Sequence, residues 1–279
     1  MSASPSALSG TTAIAGIGQT EFSKESGRSE LQLACEAVSA ALDDAGLSPS
    51  DVDGMVTFTM DSSDEIDVAR NVGIGDLTFF SRIPHGGGAA AGTVTHAAMA
   101  VAAGVADVVV CWRAFNERSG FRFGGSGRTS AETPLFMAHY APFGLLTPAA
   151  WVALHAQRYM STFRVTNEDF GRIAVVDRTH AATNPDAWFY QRPITLEDHQ
   201  NSRWIVEPVL RLLDCCQESD GGVALVVTSA ERARDLRQPP AVIAAAAQGA
   251  AYNGEMMTSY YREDITGLPE MGVVAGKLW

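Results

Sequence analysis

One stretch, residues 81–112, constrains the fold more than any other: SRIPHGGGAAAGTVTHAAMAVAAGVADVVVCW. Two short apolar segments, typical of buried strands, flank a helical segment over 88–103 whose polar side chains are Thr93, Thr95 and His96. A helix that is apolar on all sides is buried, so we predict that it lies between two layers. A strand, a crossover helix and a second strand predict a parallel sheet with right-handed connections.

The alternation of strands and helices continues on both sides of this stretch. The segment TAIAGIGQTEF (12–22) predicts a buried strand followed by a glycine turn, and SELQLACEAVSAALDDAGL (29–47) predicts an amphipathic helix. In that helix Ser29 is the expected N-cap and Gly46 the expected C-terminal stop. Another strand is predicted at 221–229. The fold class that follows is α/β, with mostly parallel sheets around buried helices.

Composition and charge exclude several classes of function. The chain has 279 residues, 46% of them hydrophobic, and its formal net charge of −12 argues against nucleic acid or an anionic membrane as a partner. It contains no apolar run near the roughly 20 residues of a membrane helix and no signal-peptide pattern, so we expect a cytoplasmic protein. The four cysteines form no CxxC pair and the six histidines are scattered. We therefore predict no disulfides, no metal site and no cofactor.

The three glycines before the apolar helix, Gly86, Gly87 and Gly88, form the first candidate site. Glycines let a ligand approach the backbone, and the free N–H groups and dipole at a helix N-terminus favour negative charge. Such a bend can bind an enolate or thioester oxygen, and the alternative is a tight turn in which glycine serves packing. His85 is a candidate general base or ligand donor, or else a solvated turn residue, and His96 is expected to be a core or interface histidine.

A second candidate site follows the strand that ends near Trp112. Loops after the carboxyl ends of parallel strands bind ligands in α/β proteins, so Asn116 and Arg118 are candidate substrate-binding residues. The alternative interpretation of this loop is an ordinary solvated, charged connection.

Four segments together resemble the thiolase superfamily: ALDDAGLSPSDVDGMV, GGGAAAGTVTHAAMAVAAGVADVVV, LRLLDCCQESDGGVALVVTSAERA and LPEMGVVAGKLW. They lie in family order and span essentially the whole chain. The chain is most similar to the thiolase-like lipid-transfer proteins of the sterol-carrier branch. Within that branch FSRIPHGGGAAAGTV, RAFNERSG and ITLEDHQNSRWIVEPVLRLLDCCQESDGG resemble the actinobacterial steroid side-chain aldolases.

The resemblance implies a thiolase-like layered fold whose second half is incomplete in this chain. It divides the chain into an N-terminal thiolase half at 1–112 and 204–230, an inserted loop and helical region at 113–203, and the truncated start of a C-terminal half at 240–279.

The resemblance also implies an enzyme that lacks the usual nucleophile. A thiolase of this branch has its cysteine at the bend before the buried helix, and that position falls on Gly87, give or take one residue. Acyl transfer through a covalent thioester needs that thiolate. The aldolase group implies instead a retro-aldol cleavage of a β-hydroxy steroid side-chain acyl-CoA into a ketosteroid and propionyl-CoA. Its catalytic tyrosines belong to the second half of the fold, expected beyond Trp279, which leaves Tyr260, Tyr261 and His85 as candidates within the chain.

The resemblance finally implies partners. We expect a homodimer through the thiolase-like core and a small acyl-CoA-binding protein with an OB fold and a zinc ribbon, and any zinc would belong to that partner. CoA is anionic and the chain has only two lysines, so either a local group of arginines or the partner is expected to hold it. The arginines considered for that role are Arg113, Arg118, Arg122 and Arg128.

Two other functions stay open on the sequence. A non-catalytic subunit that binds acyl-CoA or lipid, or that serves as a scaffold in a thiolase-like complex, would explain the incomplete second half. An acyl-CoA thiolase is disfavoured by the missing cysteine.

Overall fold

The computed structural model describes residues 8–58, 63–83, 90–120, 122, 135–255 and 257–279. The chain forms two compact units. The first unit contains Met1–Asn116, Asp220–Ala251 and Pro269–Trp279, and the second contains Glu117–Ser219 and Tyr252–Leu268. The candidate residues that lie outside the described residues are His85, Gly86, Gly87, Gly88 and Arg128.

Strands and helices alternate through the described chain. The strands are β1 (Thr12–Gln19), β2 (Gly54–Phe58), β3 (Phe79–Ile83), β4 (Val108–Asn116), β5 (Trp204–Val206), β6 (Leu210–Arg211), β7 (Asp220–Ser229) and β8 (Ala241–Val242). The helices are α1 (Glu30–Ala45), α2 (Glu65–Val72), α3 (Ala90–Ala102), α4 (Leu135–Tyr140), α5 (Pro148–Phe163), α6 (Asn167–Thr183), α7 (Leu196–Asn201), α8 (Ala230–Ala233) and α9 (Pro269–Leu278).

The first unit is built on a six-stranded sheet in the order β3-β2-β4-β7-β1-β8. β2 pairs in parallel with β3 and β4, whereas β7 runs antiparallel to β4 and β1, and β8 runs antiparallel to β1. β1 to β4 therefore point in one direction, and β7 and β8 in the other. The predicted α/β fold with a mostly parallel sheet is confirmed, because four of the six strands run in the same direction. The antiparallel β7 enters the middle of the sheet after the chain returns from the second unit.

Two glycines of β1 bring α1 into direct contact with the sheet. A Cβ atom at Gly18 would lie 2.3 Å from the carbonyl oxygen of Ala37, and one at Gly16 would lie 2.5 Å from that of Ala41. Such distances are far below van der Waals contact, so only glycine lets the helix backbone pack on the strand. The predicted glycine turn is wrong, because β1 continues through both glycines to Gln19.

α1 is the amphipathic helix that the sequence predicts. The side chain of Ser29 accepts a hydrogen bond from the backbone N–H of Gln32, and Gly46 ends the helix with a left-handed φ of 75°. The buried face of α1 joins Val108 and Val110 of β4 in one hydrophobic cluster. This cluster fills one side of the sheet and contributes stability through buried apolar area.

α3 covers the opposite side of the sheet. Its Ala97 and Ala98 pack against Val109 of β4, which alternates along the strand with the side chains that face α1. The prediction that α3 is buried on all sides is wrong for the first unit, since Met99 is 45% exposed. Within the described part of that unit, the sheet covers only the side of the helix that is turned towards it.

The second unit contains the helices α4 to α7 and the antiparallel β5–β6 hairpin. α5 and α6 lie in the inserted loop and helical region that the resemblance implies at 113–203. The side chain of Thr147 caps α5 by accepting from the N–H of Ala150, and Thr166 and Asp169 form a capping box at the start of α6.

We predict that Gly18→Ala destabilises the first unit. The new methyl group would collide with the main chain of α1, and a misfit of this kind reduces the free energy of unfolding by about 1–3 kcal/mol. Chemical denaturation followed by circular dichroism measures the change. Gly75→Ala is the matched control, because a Cβ atom there has no neighbour within 4 Å. An equal loss in both variants would contradict the packing role of Gly18.

Candidate active site

The carboxyl ends of three parallel strands meet at one edge of the sheet. β2 ends at Phe58, β3 ends at Ile83 and β4 ends at Asn116, and α3 begins at Ala90 after the connection from β3. Proteins with open α/β sheets bind ligands in the crevice outside the carboxyl ends of the strands. This edge is therefore the candidate site of the first unit, and the glycine bend lies outside the described residues.

One row of side chains leads along β4 to this edge on the side of α3. Cys111 belongs to the cluster that packs under α3, and its Sγ lies 3.4 Å from the carbonyl oxygen of Thr93. Side chains alternate along a strand, so Arg113 continues the same row towards the carboxyl edge. Burial raises the pKa of the Cys111 thiol to about 12. The thiol therefore stays protonated and is not a nucleophile.

Arg113 is held at the edge by a carbonyl group and two aromatic rings. Its Nη1 donates a hydrogen bond of 3.1 Å to the carbonyl oxygen of Phe58. Its Cζ lies 4.6 Å from the centroid of the Phe58 ring and 5.0 Å from that of the Phe115 ring. The negative faces of the rings attract the cation. These contacts fix a half-buried, permanently charged guanidinium at the candidate site.

Arg82 on β3 is oriented by a carboxylate. Its Nε and Nη2 donate to the two oxygens of Glu65 at 3.1 and 3.2 Å, and Nη2 also donates to the carbonyl oxygen of Ser63 at 2.7 Å. Glu65 is buried at the start of α2. The pair ties α2 to β3, and the two opposite charges offset each other.

The predicted binding residue Asn116 anchors a neighbouring loop. Its Nδ2 donates to the carbonyl oxygen of Arg28 at 2.7 Å, and its Oδ1 accepts from the hydroxyl of Ser26 at 3.0 Å. The N–H of Ser26 in turn donates to the fully buried carboxylate of Asp220 at 3.0 Å. These bonds fix the end of β4, and substrate binding by Asn116 stays a prediction.

The other arginines considered for binding CoA have separate surroundings. Arg118 is exposed in the turn after β4. Arg122 pairs with Glu218, with 2.6 Å between Nε and the carboxylate oxygen. Arg128 lies outside the described residues. A role of Arg118 in substrate binding also stays a prediction.

His96 lies on α3 beside the edge strand β3. Its ring is half-buried, and Nδ1 is 2.8 Å from the hydroxyl oxygen of Ser81. A core or interface histidine is the expectation from the sequence at this position, and the bond to Ser81 gives the ring a defined orientation.

The tyrosines proposed as catalytic candidates differ sharply in burial. Tyr260 lies within the second unit, where its hydroxyl donates to the carbonyl oxygen of Trp151 and its ring stacks on His155 with 5.0 Å between centroids. Tyr261 is 69% exposed. The structure thus gives Tyr260 a fixed position and leaves Tyr261 at the surface of the second unit.

Tyr260 belongs to a polar cluster that includes Tyr140, Glu255 and Thr258. The hydroxyl of Tyr140 donates to the Glu255 carboxylate, which also accepts from Thr258 at 2.6 Å. The rings of Tyr140 and Tyr260 meet edge to face with 5.5 Å between centroids. Burial is the main cause that raises the pKa of each of these two tyrosines to about 12. Both phenols are therefore neutral near pH 7 and can act as proton donors.

A histidine–aspartate pair in the second unit has a structural role. His199 is fully buried, and its Nε2 lies 2.6 Å from an oxygen of Asp214. Its Nδ1 lies 3.0 Å from the amide nitrogen of Gln200. Because both ring nitrogens are bonded and the ring is closed off from solvent, the pair connects α7 to the segment after β6.

The sequence pattern gave no signal for several polar groups at these sites. Tyr140 and Glu255 are 115 residues apart in the chain. Gln248 packs on the first turn of α3, where its Oε1 would lie 2.8 Å from a Cβ atom at Gly92. The sequence signal for this contact is Gly92 itself, because a glycine within a helix can leave room for a neighbouring side chain.

Within the described residues, no group of three or more histidine, cysteine, aspartate or glutamate side chains is placed to hold a metal ion. The same residues contain no helix that is both long and apolar enough to cross a membrane.

Comparison with known structures defines the fold class. A monomeric SCP2-thiolase like protein type 1 from Mycobacterium smegmatis superposes with a TM-score of 0.71 at 22% identity, over 98% of this chain and 57% of the other. A structure described as an Ltp2-ChsH2(DUF35) aldolase superposes with a TM-score of 0.91 at 69% identity, over 98% of this chain and 69% of the other. The fold is thiolase-like, as the resemblance implied. No protein-family model matches the chain.

Two curated relatives share most of this sequence. A steroid side-chain-cleaving aldolase from Thermomonospora curvata is 70% identical over 98% of this chain and 71% of its own length. A 17-hydroxy-3-oxo-4-pregnene-20-carboxyl-CoA lyase from Mycobacterium tuberculosis is 64% identical over 98% of this chain and 71% of its own length. The chain belongs to the family of steroid side-chain-cleaving aldolases, which are carbon–carbon lyases. The resemblance noted in the sequence is confirmed.

We predict that Tyr140→Phe reduces the loss of stability at alkaline pH. The folded pKa of about 12 lies above the ordinary 10.0, so this tyrosine contributes stability that is complete below pH 10 and is lost as the pH rises towards 12. Phenylalanine has no proton to lose, although removing the bond to Glu255 lowers stability near pH 7 by about 1 kcal/mol.

Denaturation midpoints and near-ultraviolet tyrosinate absorbance, both followed against pH, measure this effect. The absorbance should lose only part of its most alkaline component in Tyr140→Phe, because Tyr260, whose pKa is also raised to about 12, still contributes to it. Tyr261→Phe is the matched control, because that side chain is exposed. An unchanged alkaline component in Tyr140→Phe would show that Tyr140 ionises like a solvated phenol.

Proposed function

We propose that this protein catalyses the retro-aldol cleavage of a β-hydroxy steroid side-chain acyl-CoA to a ketosteroid and propionyl-CoA. The observation that carries the proposal is the 64–70% identity, over nearly the whole chain, to relatives named as a steroid aldolase and a pregnene-carboxyl-CoA lyase. The chain covers 71% of each of those relatives. The substrate and the reaction of this chain are inferred from them.

The reaction needs a base, an acid and a group that stabilises an oxyanion. A base removes the proton of the tertiary β-hydroxyl group. The bond between the carbinol carbon and the α-carbon breaks, its electron pair moves onto the thioester carbonyl oxygen, and the carbinol becomes a ketone. A proton then returns to the α-carbon of the enolate and gives propionyl-CoA. Atoms and electrons balance without an oxidant, a reductant or a cofactor.

Cysteine placement supports a non-covalent mechanism. The chain has four cysteines, Cys35, Cys111, Cys215 and Cys216. Residues 84–89, which precede α3, read PHGGGA and include none of them. Burial is the main cause that raises the pKa of Cys35, Cys111 and Cys215. None of these three has the lowered pKa of an activated nucleophile, so covalent acyl transfer is unsupported.

The roles of individual residues are part of the proposal. The bend of Gly86, Gly87 and Gly88 is proposed to bind the thioester oxygen through backbone N–H groups. Tyr260 and His85 remain candidates for proton transfer. With its pKa raised to about 12, the phenol of Tyr260 is protonated near pH 7, so in this state it cannot be the base that removes the hydroxyl proton.

A homodimer through the edge of the sheet is part of the proposal. β3 is a terminal strand of the six-stranded sheet, and unpaired strand edges are natural pairing surfaces. Phe80 on this strand is 60% exposed, and the nearby Met99 and Val105 are also exposed and apolar. A second copy of the chain that pairs along β3 would cover these side chains.

A second, different subunit is also proposed. The similar Ltp2-ChsH2(DUF35) aldolase structure names two components, which supports a partner for this chain. We expect a small acyl-CoA-binding protein with an OB fold and a zinc ribbon, and we expect the complex to act in the cytoplasm.

We predict that the protein and its partner release propionyl-CoA and a ketosteroid in equal amounts from a β-hydroxy steroid acyl-CoA. Liquid chromatography measures both products, and intact-protein mass spectrometry after an acid quench should show no acyl adduct. Tight substrate binding without products would favour a scaffold subunit. An acyl adduct on a cysteine would favour a thiolase.

We predict that Phe80→Asp converts the dimer to a monomer. A carboxylate at the centre of an apolar pairing surface would have to lose its hydration on association, which is strongly unfavourable. Light scattering coupled to size-exclusion chromatography measures the mass. Ile66→Asp on α2 is the matched control, because Ile66 is also 60% exposed. A wild-type monomer, or a dimer in both variants, would contradict this interface.

A further inference from the structure

We propose that Arg113 is a catalytic residue that contacts the thioester carbonyl oxygen of the substrate and stabilises the enolate formed by carbon–carbon cleavage. This inference rests on the proposed lyase function and adds a residue to it. The role differs from the general one of holding the phosphates of CoA, because an enolate contact acts on the reacting atoms themselves.

Arg113 lies next to the first turn of α3. Ile83 pairs with Phe58 across the parallel strands, and the Cδ1 of Ile83 would lie 3.4 Å from a Cβ atom at Gly92. The guanidinium of Arg113 donates to the carbonyl oxygen of Phe58. Ile83 thus connects the position of Phe58 on the sheet to Gly92 in the first turn of α3. Because Arg113 is bonded to Phe58, it lies beside this N-terminal turn of the helix and not along its middle.

The row of side chains on β4 gives the same location independently. Cys111 contacts the carbonyl oxygen of Thr93, which belongs to the first turn of α3. Arg113 follows Cys111 on the same side of the strand, two residues nearer the carboxyl edge. About 7 Å separate alternate residues of a strand, which places the base of the Arg113 side chain just beyond the start of α3.

The surroundings of the guanidinium suit stabilisation of a developing negative charge. The described contacts of Arg113 include a neutral carbonyl oxygen and the rings of Phe58 and Phe115. Aromatic faces orient the cation while they exclude water from its flat sides. A half-buried site lowers the effective dielectric constant, so the charge acts more strongly than it would in water. An arginine stays protonated throughout, and therefore stabilises the enolate without taking part in proton transfer.

Arg82 at the same edge is not suited to this role. Its guanidinium makes a two-point contact with the buried carboxylate of Glu65. Moving Arg82 towards a substrate would leave a buried, uncompensated carboxylate, which is strongly unfavourable.

The test compares Arg113→Gln and Arg113→Lys with the wild-type protein in complex with its partner. We expect Arg113→Gln to lower kcat for propionyl-CoA release by about 100- to 1,000-fold, as when one oxyanion contact is removed, with little change in KM. Arg113→Lys should recover part of the rate, because it retains the charge but lacks the planar fork of N–H donors. Arg172→Gln is the control, since Arg172 is an exposed arginine on α6 that pairs with Glu168 and Asp169.

A second measurement isolates the enolate from the cleavage step. Propionyl-CoA incubated with the complex in deuterated water should exchange its α-protons, as followed by nuclear magnetic resonance. Arg113→Gln should slow this exchange by a factor similar to its effect on kcat. A merely structural role would lower the melting temperature and leave the ratio of kcat between the folded Lys and Gln variants near one.

The outcomes separate this inference from the proposed function. If the wild-type complex forms no propionyl-CoA, the lyase function and the role of Arg113 both fail. If the wild-type complex is active and Arg113→Gln keeps its kcat and its exchange rate, the lyase function stands and the role of Arg113 is overturned. A rise in KM alone would assign Arg113 to the binding of CoA and would likewise overturn the inference.

Discussion

The main-chain contact between α1 and the sheet is the constraint on which the rest of the first unit depends. The glycines of β1 lie directly under the helix, and so does Gly222 of β7, where a Cβ atom would be 2.6 Å from the carbonyl oxygen of Leu33. With no side chains between them, the helix and the β1–β7 pair have one spacing and one register. β7 pairs with β4 as far as Asn116. The end of β4, and with it Arg113, is therefore positioned by a contact on the opposite side of the sheet.

Buried carboxylates continue this chain of constraints towards the candidate site. Asp220, the first residue of β7, accepts a hydrogen bond from Ser26, and Ser26 bonds to Asn116. Glu65 holds Arg82 in the same manner on β3. A buried charge is stable only when it is paired or hydrogen-bonded, so each carboxylate fixes the segments that satisfy it. Some of the acidic residues of the chain therefore position loops and arginines at the carboxyl edge of the sheet. This is the edge that we expect to bind an anionic substrate.

Local sequence patterns predicted what depends on local structure. The helix α1 follows from the spacing of its apolar residues, and its two ends follow from its capping residues. The role of the β1 glycines did not follow, because a glycine in a strand looks the same whether it turns the chain or makes room for a helix. The direction of β7 did not follow either, since it depends on how the second unit returns the chain to the sheet. The bond between Arg113 and Phe58 joins positions 55 residues apart, and only the strand register brings them together.

The loss of a nucleophile from a thiolase-like fold is consistent with the chemistry that the retro-aldol reaction requires. In acyl transfer a thiolate must attack the carbonyl carbon, and the bond between that carbon and sulfur is broken and formed again. In retro-aldol cleavage the CoA thioester stays intact, and its carbonyl oxygen only gains and loses charge. The protein therefore needs a preorganised electrostatic environment in place of a reactive sulfur. In the proposed site this environment comes from the backbone N–H groups of a glycine bend and from an arginine, whose charge does not depend on pH, so neither contribution requires a group that must be deprotonated.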